Sequence, residues 1–181
     1  MLLLSCKSAS VIQHAVNAEG ASGKVDSVFL EIRALDLTED MSPLSSQNDE
    51  IVMLVYDTGS SAGEIMLLLG GSFTVTKENN LRSIAAGNLT DFAGELTIVM
   101  LERDTDHSVE QLDEMVRLHF GDLLKHYQRN GNFGIEKFID DNDIVGIKTI
   151  ASVQPNMTVN FDFKGIFKLD KYHYKLIFST R

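Results

Sequence analysis

Only one stretch of this chain repeats its apolar residues with a helical period, and segments of period two lie on either side of it. Ser108 and Gln111 stand at capping-box spacing, where the serine hydroxyl and the glutamine side chain satisfy each other's backbone donors. Leu112, Met115, Val116, His119, Leu123 and Tyr127 then share one face of a 3.6-residue helix. Glu110, Asp113 and Glu114 sit near its start and Lys125, His126 and Arg129 near its end, as the helix dipole favours. Gly131 supplies a stop. A single helix over about 108–129 is predicted, to be packed through Leu112, Val116 and Leu123 on the rest of the domain or on a partner.

Elsewhere the pattern is that of strands. Val28, Leu30, Ile32 and Ala34 alternate with Phe29, Glu31 and Arg33. The continuous apolar run Ile51 to Tyr56 meets a Gly- and Ser-rich turn and then Ile65 to Leu69, a hairpin signal because glycine supplies the positive-φ positions. Phe73 to Thr76, Leu96 to Leu101 and Ile144 to Ile150 read as further strands. So do Val159-Phe161-Phe163 and Tyr172-Tyr174-Leu176-Phe178, each alternating with polar residues. Residues 77–94 are mixed, with Leu81, Ile84, Leu89 and Phe92 as satellite core contacts. Residues 1–24 are a lead-in or linker, and 25–181 are one domain. Many strands at short spacing, with one helix and no βαβ alternation, predict an all-β fold: an antiparallel eight-stranded β-sandwich with one long α-helix inserted in a loop.

Composition narrows the function. The 181 residues are 44% hydrophobic and 23% charged, ordinary for a globular protein, with two prolines and no tryptophan. The formal charge is −10 and the pI near 4.8. Such a balance argues against nucleic acid, whose phosphates are held by clustered Lys and Arg. Lys164, Lys168, Lys171 and Lys175 are the nearest approach to a basic cluster, read as solvated edge lysines or as a modest patch for an anionic partner. One cysteine, Cys6, allows neither an internal disulfide nor a cysteine-based zinc site. No apolar run approaches the ~20 residues of a transmembrane helix.

Several loops are rich in aspartate, and their surroundings carry a resemblance. Leu30-Glu31-Ile32-Arg33-Ala34-Leu35-Asp36-Leu37 resembles an early strand and first loop of C2 domains, and Asp49-Glu50-Ile51-Val52 a simplified start of their next strand. Leu96-Thr97-Ile98-Val99 running to Asp104-Thr105-Asp106 resembles the strand that enters their Asp-x-Asp loop. Asp140-Asp141-Asn142-Asp143-Ile144-Val145-Gly146 is similar to their Asp-rich run before an apolar-Gly strand start. An insertion containing the helix separates these last two. The resemblance implies a C2-like sandwich in which acidic loops meet at one end. Calcium takes ~6–8 oxygen ligands at flexible geometry and can bridge to anionic lipid. By position the implied ligands are Asp36 or Asp40 with Asp49, then Asp104, Asp106 and one of Asp140, Asp141 or Asp143. The plain alternative is that aspartates populate β-loops because they make turns.

Two shorter resemblances point elsewhere. Asp57-Thr58-Gly59-Ser60-Ser61, after Met53-Leu54-Val55-Tyr56, resembles the active-site turn of aspartic proteases, in which two aspartates share one proton. No second such turn is present, so a homodimer would have to supply it, with Ile144-Val145-Gly146 as the later apolar-apolar-Gly element. A hairpin tip needs Asp, Gly and Ser for turn reasons alone. Leu3-Leu4-Ser5-Cys6 resembles the tail of a bacterial lipoprotein signal, which implies a membrane anchor through Cys6; the other reading is a short strand in a cytoplasmic protein. The five histidines form no zinc motif, no Gly-x-Ser-x-Gly is present, and Leu69-Gly70-Gly71-Ser72 lacks the lysine of a phosphate loop. His119 on the apolar stripe reads as a core histidine. Asn88-Leu89-Thr90 and Asn156-Met157-Thr158 are sequons only in a secreted eukaryotic chain.

These readings predict a non-enzymatic binding or structural module, without a required cofactor, that contacts a protein partner in a larger assembly. The alternatives are a calcium-dependent phospholipid-binding module and a homodimeric aspartic protease using Asp57.

Overall fold

The computed structural model describes residues 25–36, 48–59, 65–76, 79–87, 94–103, 106–130, 143–167 and 170–181. Eight strands run in chain order: β1 Ser27–Asp36, β2 Asn48–Asp57, β3 Met66–Thr76, β4 Leu81–Gly87, β5 Leu96–Glu102, β6 Asp143–Ile150, β7 Thr158–Phe167 and β8 Asp170–Thr180. One helix, α1 Val109–Asn130, lies between β5 and β6. The strands form two antiparallel four-stranded sheets, ordered β4-β1-β8-β7 and β3-β2-β5-β6. The chain is an all-β sandwich with an inserted helix.

Alternation sets the interior. Val28, Leu30, Ile32 and Ala34 of β1 face inward with Tyr174, Leu176 and Phe178 of β8 and Phe163 of β7. From the other sheet they meet Ile51, Met53 and Val55 of β2 and Leu96, Ile98 and Met100 of β5. The intervening residues Val52, Leu54, Tyr56, Val99 and Leu101 face the other way, yet they too are buried, because α1 covers them. That is why β2 and β5 read as continuous apolar runs: each has a core on both faces.

The helix begins as its sequence predicts. Ser108 N–H donates to Gln111 Oε1 at 2.8 Å, and Gln111 N–H donates to Ser108 Oγ at 3.3 Å. Glu110, in the first turn, has its pKa held down by its own backbone N–H and then by the Ser108 hydroxyl. The buried stripe is Leu112, Val116, Phe120 and Leu123, with Met115 and Leu124 half-buried beside it. Phe120 meets Tyr56 edge to face, with ring centroids 5.5 Å apart. His119, expected on the core face, is exposed instead. The four-residue steps from Leu112 through Val116 lead to Phe120, and the larger apolar side chain takes the seat. Gly70 is needed beneath the helix start, since a Cβ there would crowd Val109 Cγ1 at 2.9 Å.

Two sequence expectations are corrected. Ile65–Leu69 and Phe73–Thr76 were expected as separate strands, but Met66–Thr76 is one strand, bulged opposite Val55 and Tyr56. The eighth strand is β4, from the mixed segment, in which Leu81 is exposed while Ile84 packs on the core.

At one lateral edge, the ring of Phe163 lies over Gly146, at a bulge where Val145 is squeezed between the register pairs Met100↔Gly146 and Leu101↔Ile144. The Lys148 amine lies 5.6 Å from the Phe163 ring centroid, and its pKa is lowered by desolvation against the opposing pull of Asp162.

Two outcomes are expected in chemical denaturation. Phe120→Ala should lower stability by about 3–5 kcal/mol, whereas Leu118→Ala, two residues away and 78% exposed, should change it by less than about 0.5 kcal/mol. Gly146→Ala should cost about 1–3 kcal/mol, because its methyl group enters space held by the Phe163 ring.

Candidate functional site

Strand register determines which loops share an end of the sandwich. Glu102, the last residue of β5, is the register partner of Ile51 on β2 and of Asp143 on β6. Asp36 ends β1 and leads toward β2, which begins at Asn48. The connections 37–47 and 103–142 therefore leave and rejoin the sheets at one end. Asp36 and Asp143 are placed there as strand termini, and Asp106 is exposed before the helix. Asp40, Asp104, Asp140 and Asp141 lie outside the described residues, as does Cys6. Among the described residues, no group of three or more His, Cys, Asp or Glu is arranged to hold a metal ion.

Asp49 takes a different position from a loop ligand. Sharing the parity of Ile51 and Met53, it faces the sandwich interior and is fully buried. The Tyr174 hydroxyl, from β8, donates to its Oδ2. The contact joins the two sheets near the aspartate-bearing end. Next to it, Arg103 donates from Nε at 2.9 Å and Nη2 at 2.7 Å to Glu50 Oε2, and from Nη1 at 2.9 Å to the His107 carbonyl. Its backbone N–H also donates to the Glu50 carbonyl at 2.8 Å. The exit toward α1 is thus clamped to β2.

At the opposite end, the Asp-Thr-Gly turn is built into the hairpin. Asp57 is buried, and its Oδ1 accepts the Gly59 N–H at 3.0 Å, an Asx-type turn of the kind that favours aspartate there. Thr58 N–H donates to the Glu95 carbonyl at 3.1 Å, and its hydroxyl donates to Glu95 Oε1 at 2.8 Å. Hydroxyl contacts continue from Thr58 to Thr97 at 3.3 Å and from Thr97 to Thr149 at 3.0 Å, a threonine row across three strands.

A third polar group lies under the helix. Asp113 is buried with its Oδ2 paired to Arg117 Nη2 at 2.8 Å, one turn along α1. Its Oδ1 and the buried Tyr56 hydroxyl have no hydrogen-bond partner among the described residues. Desolvation first, and then the Asp113 charge, push the Tyr56 phenol far above its ordinary pKa, so it stays neutral.

The outer face of the β4-β1-β8-β7 sheet differs from its counterpart: among the described residues nothing covers it. Register places Glu31 opposite Ile177 and Arg33 opposite Lys175 on β1 and β8, and Asn160 and Asp162 beside them on β7. Together with Phe161 they line a depression of roughly 300 Å³. His173 Nε2 and Asp162 Oδ1 are 2.7 Å apart, and this bond, ahead of the nearby lysines, holds the Asp162 carboxyl below its ordinary pKa. Of the four lysines singled out in the sequence, Lys164 and Lys175 stand exposed on this face. Lys168 is outside the described residues, and the Lys171 side chain is not described. Glu31 and Arg33 alternate outward in the sequence, but which charges they meet depends on register, which alternation does not encode.

No known family matches the chain, and no curated protein or solved structure matches it significantly. Among the described residues no helix is long and apolar enough to cross a membrane.

Tyr174→Phe should lower stability by about 1–3 kcal/mol, since it removes a hydroxyl donor from a buried carboxylate. Urea unfolding with an unchanged slope would locate the loss in the native state.

Proposed function

We propose that the chain is a non-enzymatic binding or structural module, a C2-like β-sandwich that contacts a protein partner in a larger assembly. The observation that carries this reading is the unequal treatment of the two outer sheet faces. One is sealed by α1 through Leu112, Val116, Phe120 and Leu123. The other, among the described residues, is left open and hollowed, with Ile177 exposed among charges of both signs. An apolar contact ringed by polar groups has the layout of a protein interface, an apolar centre within a polar, solvent-accessible rim. Rigid sheets also suit recognition, because little order has to be imposed on binding.

A photo-crosslinking residue substituted at Ile177 tests this in cells of the source organism, with Lys125 on the solvent side of α1 as the comparison site. A discrete adduct from position 177 and none from 125 is expected. Equal labelling at both positions, or none at 177, would remove the sheet face as the contact surface.

A second reading, calcium-dependent binding to anionic lipid, draws on the gathering of the β1, β2, β5 and β6 ends, with Asp36 and Asp143 at strand termini and Asp106 exposed before α1. The leading proposal expects no heat and no change in melting temperature on titration with millimolar calcium. Saturable heat abolished by Asp104→Asn with Asp106→Asn would put the calcium reading first, since a ligand of the native state must stabilise it.

A further inference from the structure

Four strands lie at sheet edges, β3, β4, β6 and β7, and three of them are guarded. β6 carries the bulge at Val145, with Lys148 further along. β7 carries Asp162 and Lys164, and β4 is only seven residues long with Arg82 near its start. Charges, bulges and shortness of this kind keep a sheet edge from pairing with other chains. β3 is built differently. It runs for 11 residues, Met66–Thr76, without a charge or a proline. Its one irregularity is at Leu68, skipped between the register pairs Val55↔Leu69 and Tyr56↔Leu67, so the stretch from Leu69 to Thr76 is regular. Among the described residues no strand pairs with its outer edge.

Both apolar layers of the molecule run out at this strand. Leu68, Leu69 and Phe73 lie against the sandwich interior and Leu67 against the layer beneath α1. All four are only half-buried, whereas every residue of β2 from Ile51 to Tyr56 is buried. One more strand alongside would complete their cover, and the sequence of β3 says which strand fits. Leu69, Gly71, Phe73 and Val75 share one face of the strand, and Gly70, Ser72 and Thr74 share the other. A two-fold axis that joins antiparallel strands sets each residue opposite one on its own face, so the axis must pass through a residue. With the axis at Ser72, Phe73 of each copy stands opposite Gly71, Leu69 opposite Val75 and Thr74 opposite Gly70. Each larger side chain then meets a smaller one, and an aromatic ring opposite an edge glycine stabilises a strand pair. No like charges oppose each other along the strands, although each chain carries a formal charge of −10. We propose that β3 pairs with β3 of a second copy, antiparallel about Ser72, joining two four-stranded sheets into one of eight strands. Each chain offers one such edge and the contact is the same from both sides, so assembly closes at two. The surface is separate from the open sheet face, and the partner reading above does not depend on it.

Analytical ultracentrifugation of the full chain over a range of concentrations tests this. A reversible shift from the 20.1 kDa chain to twice that mass is expected. Ser72→Lys, which sets two ammonium groups opposite each other at the axis, should weaken dimerisation by about tenfold or more. Ser152→Lys, beyond the end of β6 and exposed, should leave it unchanged. Melting curves check folding, and a cysteine pair serves if Ser72→Lys unfolds. In a Cys6→Ser background, Ser72→Cys should oxidise to a covalent dimer, because directly opposed residues bring their Cβ atoms within about 4.5–5.5 Å. Thr74→Cys in the same background should not, since its counterpart in the other copy lies about four residues, or ~14 Å, along the strand. A chain that stays monomeric at every concentration would overturn the proposal. So would dimers indifferent to Ser72→Lys, equal cross-linking at positions 72 and 74, or growth beyond two chains.

Discussion

Burial of β2 and β5 on both faces is the constraint on which the rest of this molecule depends. A sandwich of two four-stranded sheets needs an apolar inner face from each and can leave the outer faces in water. Here the residues between the inward-facing positions of β2 and β5 are also apolar, Val52, Leu54 and Tyr56 on one strand and Val99 and Leu101 on the other. An uncovered face of that kind would be a liability for association. The helix inserted after β5 is the cover, and its position fixes which sheet is sealed and which, among the described residues, is left uncovered.

The parts of this arrangement legible in the sequence are those where local chemistry and tertiary packing agree. The Ser108–Gln111 cap, the inward parity of β1 and the β2–β3 hairpin all have short-range causes, and all are present. The strand β4 was hidden because Arg82, Ser83, Ala85 and Ala86 offer little apolar alternation, and its identity comes from pairing with β1 some fifty residues earlier. The exchange of His119 for Phe120 on the helix stripe has the same origin. Both fit a helical period within one residue, and the facing ring of Tyr56 decides between them. Of the aspartates singled out in the sequence, Asp36 and Asp143 stand at strand termini, while the inward turn of Asp49 toward Tyr174 was not legible. The depression on the open sheet was not legible at all, since it arises from the register of three strands distant in the chain.

The buried polar groups fall into two kinds. Asp49 with Tyr174 and the threonine row from Thr58 to Thr149 bridge separate strands with hydrogen bonds, and such pairs favour one register over its slipped neighbours. Tyr56 and Asp113 are of the second kind, brought together by the seating of α1, where the Asp113 charge acts on the neutral phenol. The helix is held by its apolar stripe and its clamped entry at Arg103.

The register partnership of Glu102 with Asp143 has a consequence for how this domain can change over evolutionary time. Because the chain leaves and re-enters the sheet at adjacent positions, everything from Arg103 to Asn142 is, for the sandwich topology, a single hairpin connection. Its length is nearly free, as the entropy of closing a loop rises only with the logarithm of its size. With the helix covering the outer face, however, Val, Leu and Tyr beneath it are favourable, and a short turn in its place would leave them bare. The insertion is easy to acquire and hard to lose, a ratchet that turns an optional ornament into an indispensable part of the core.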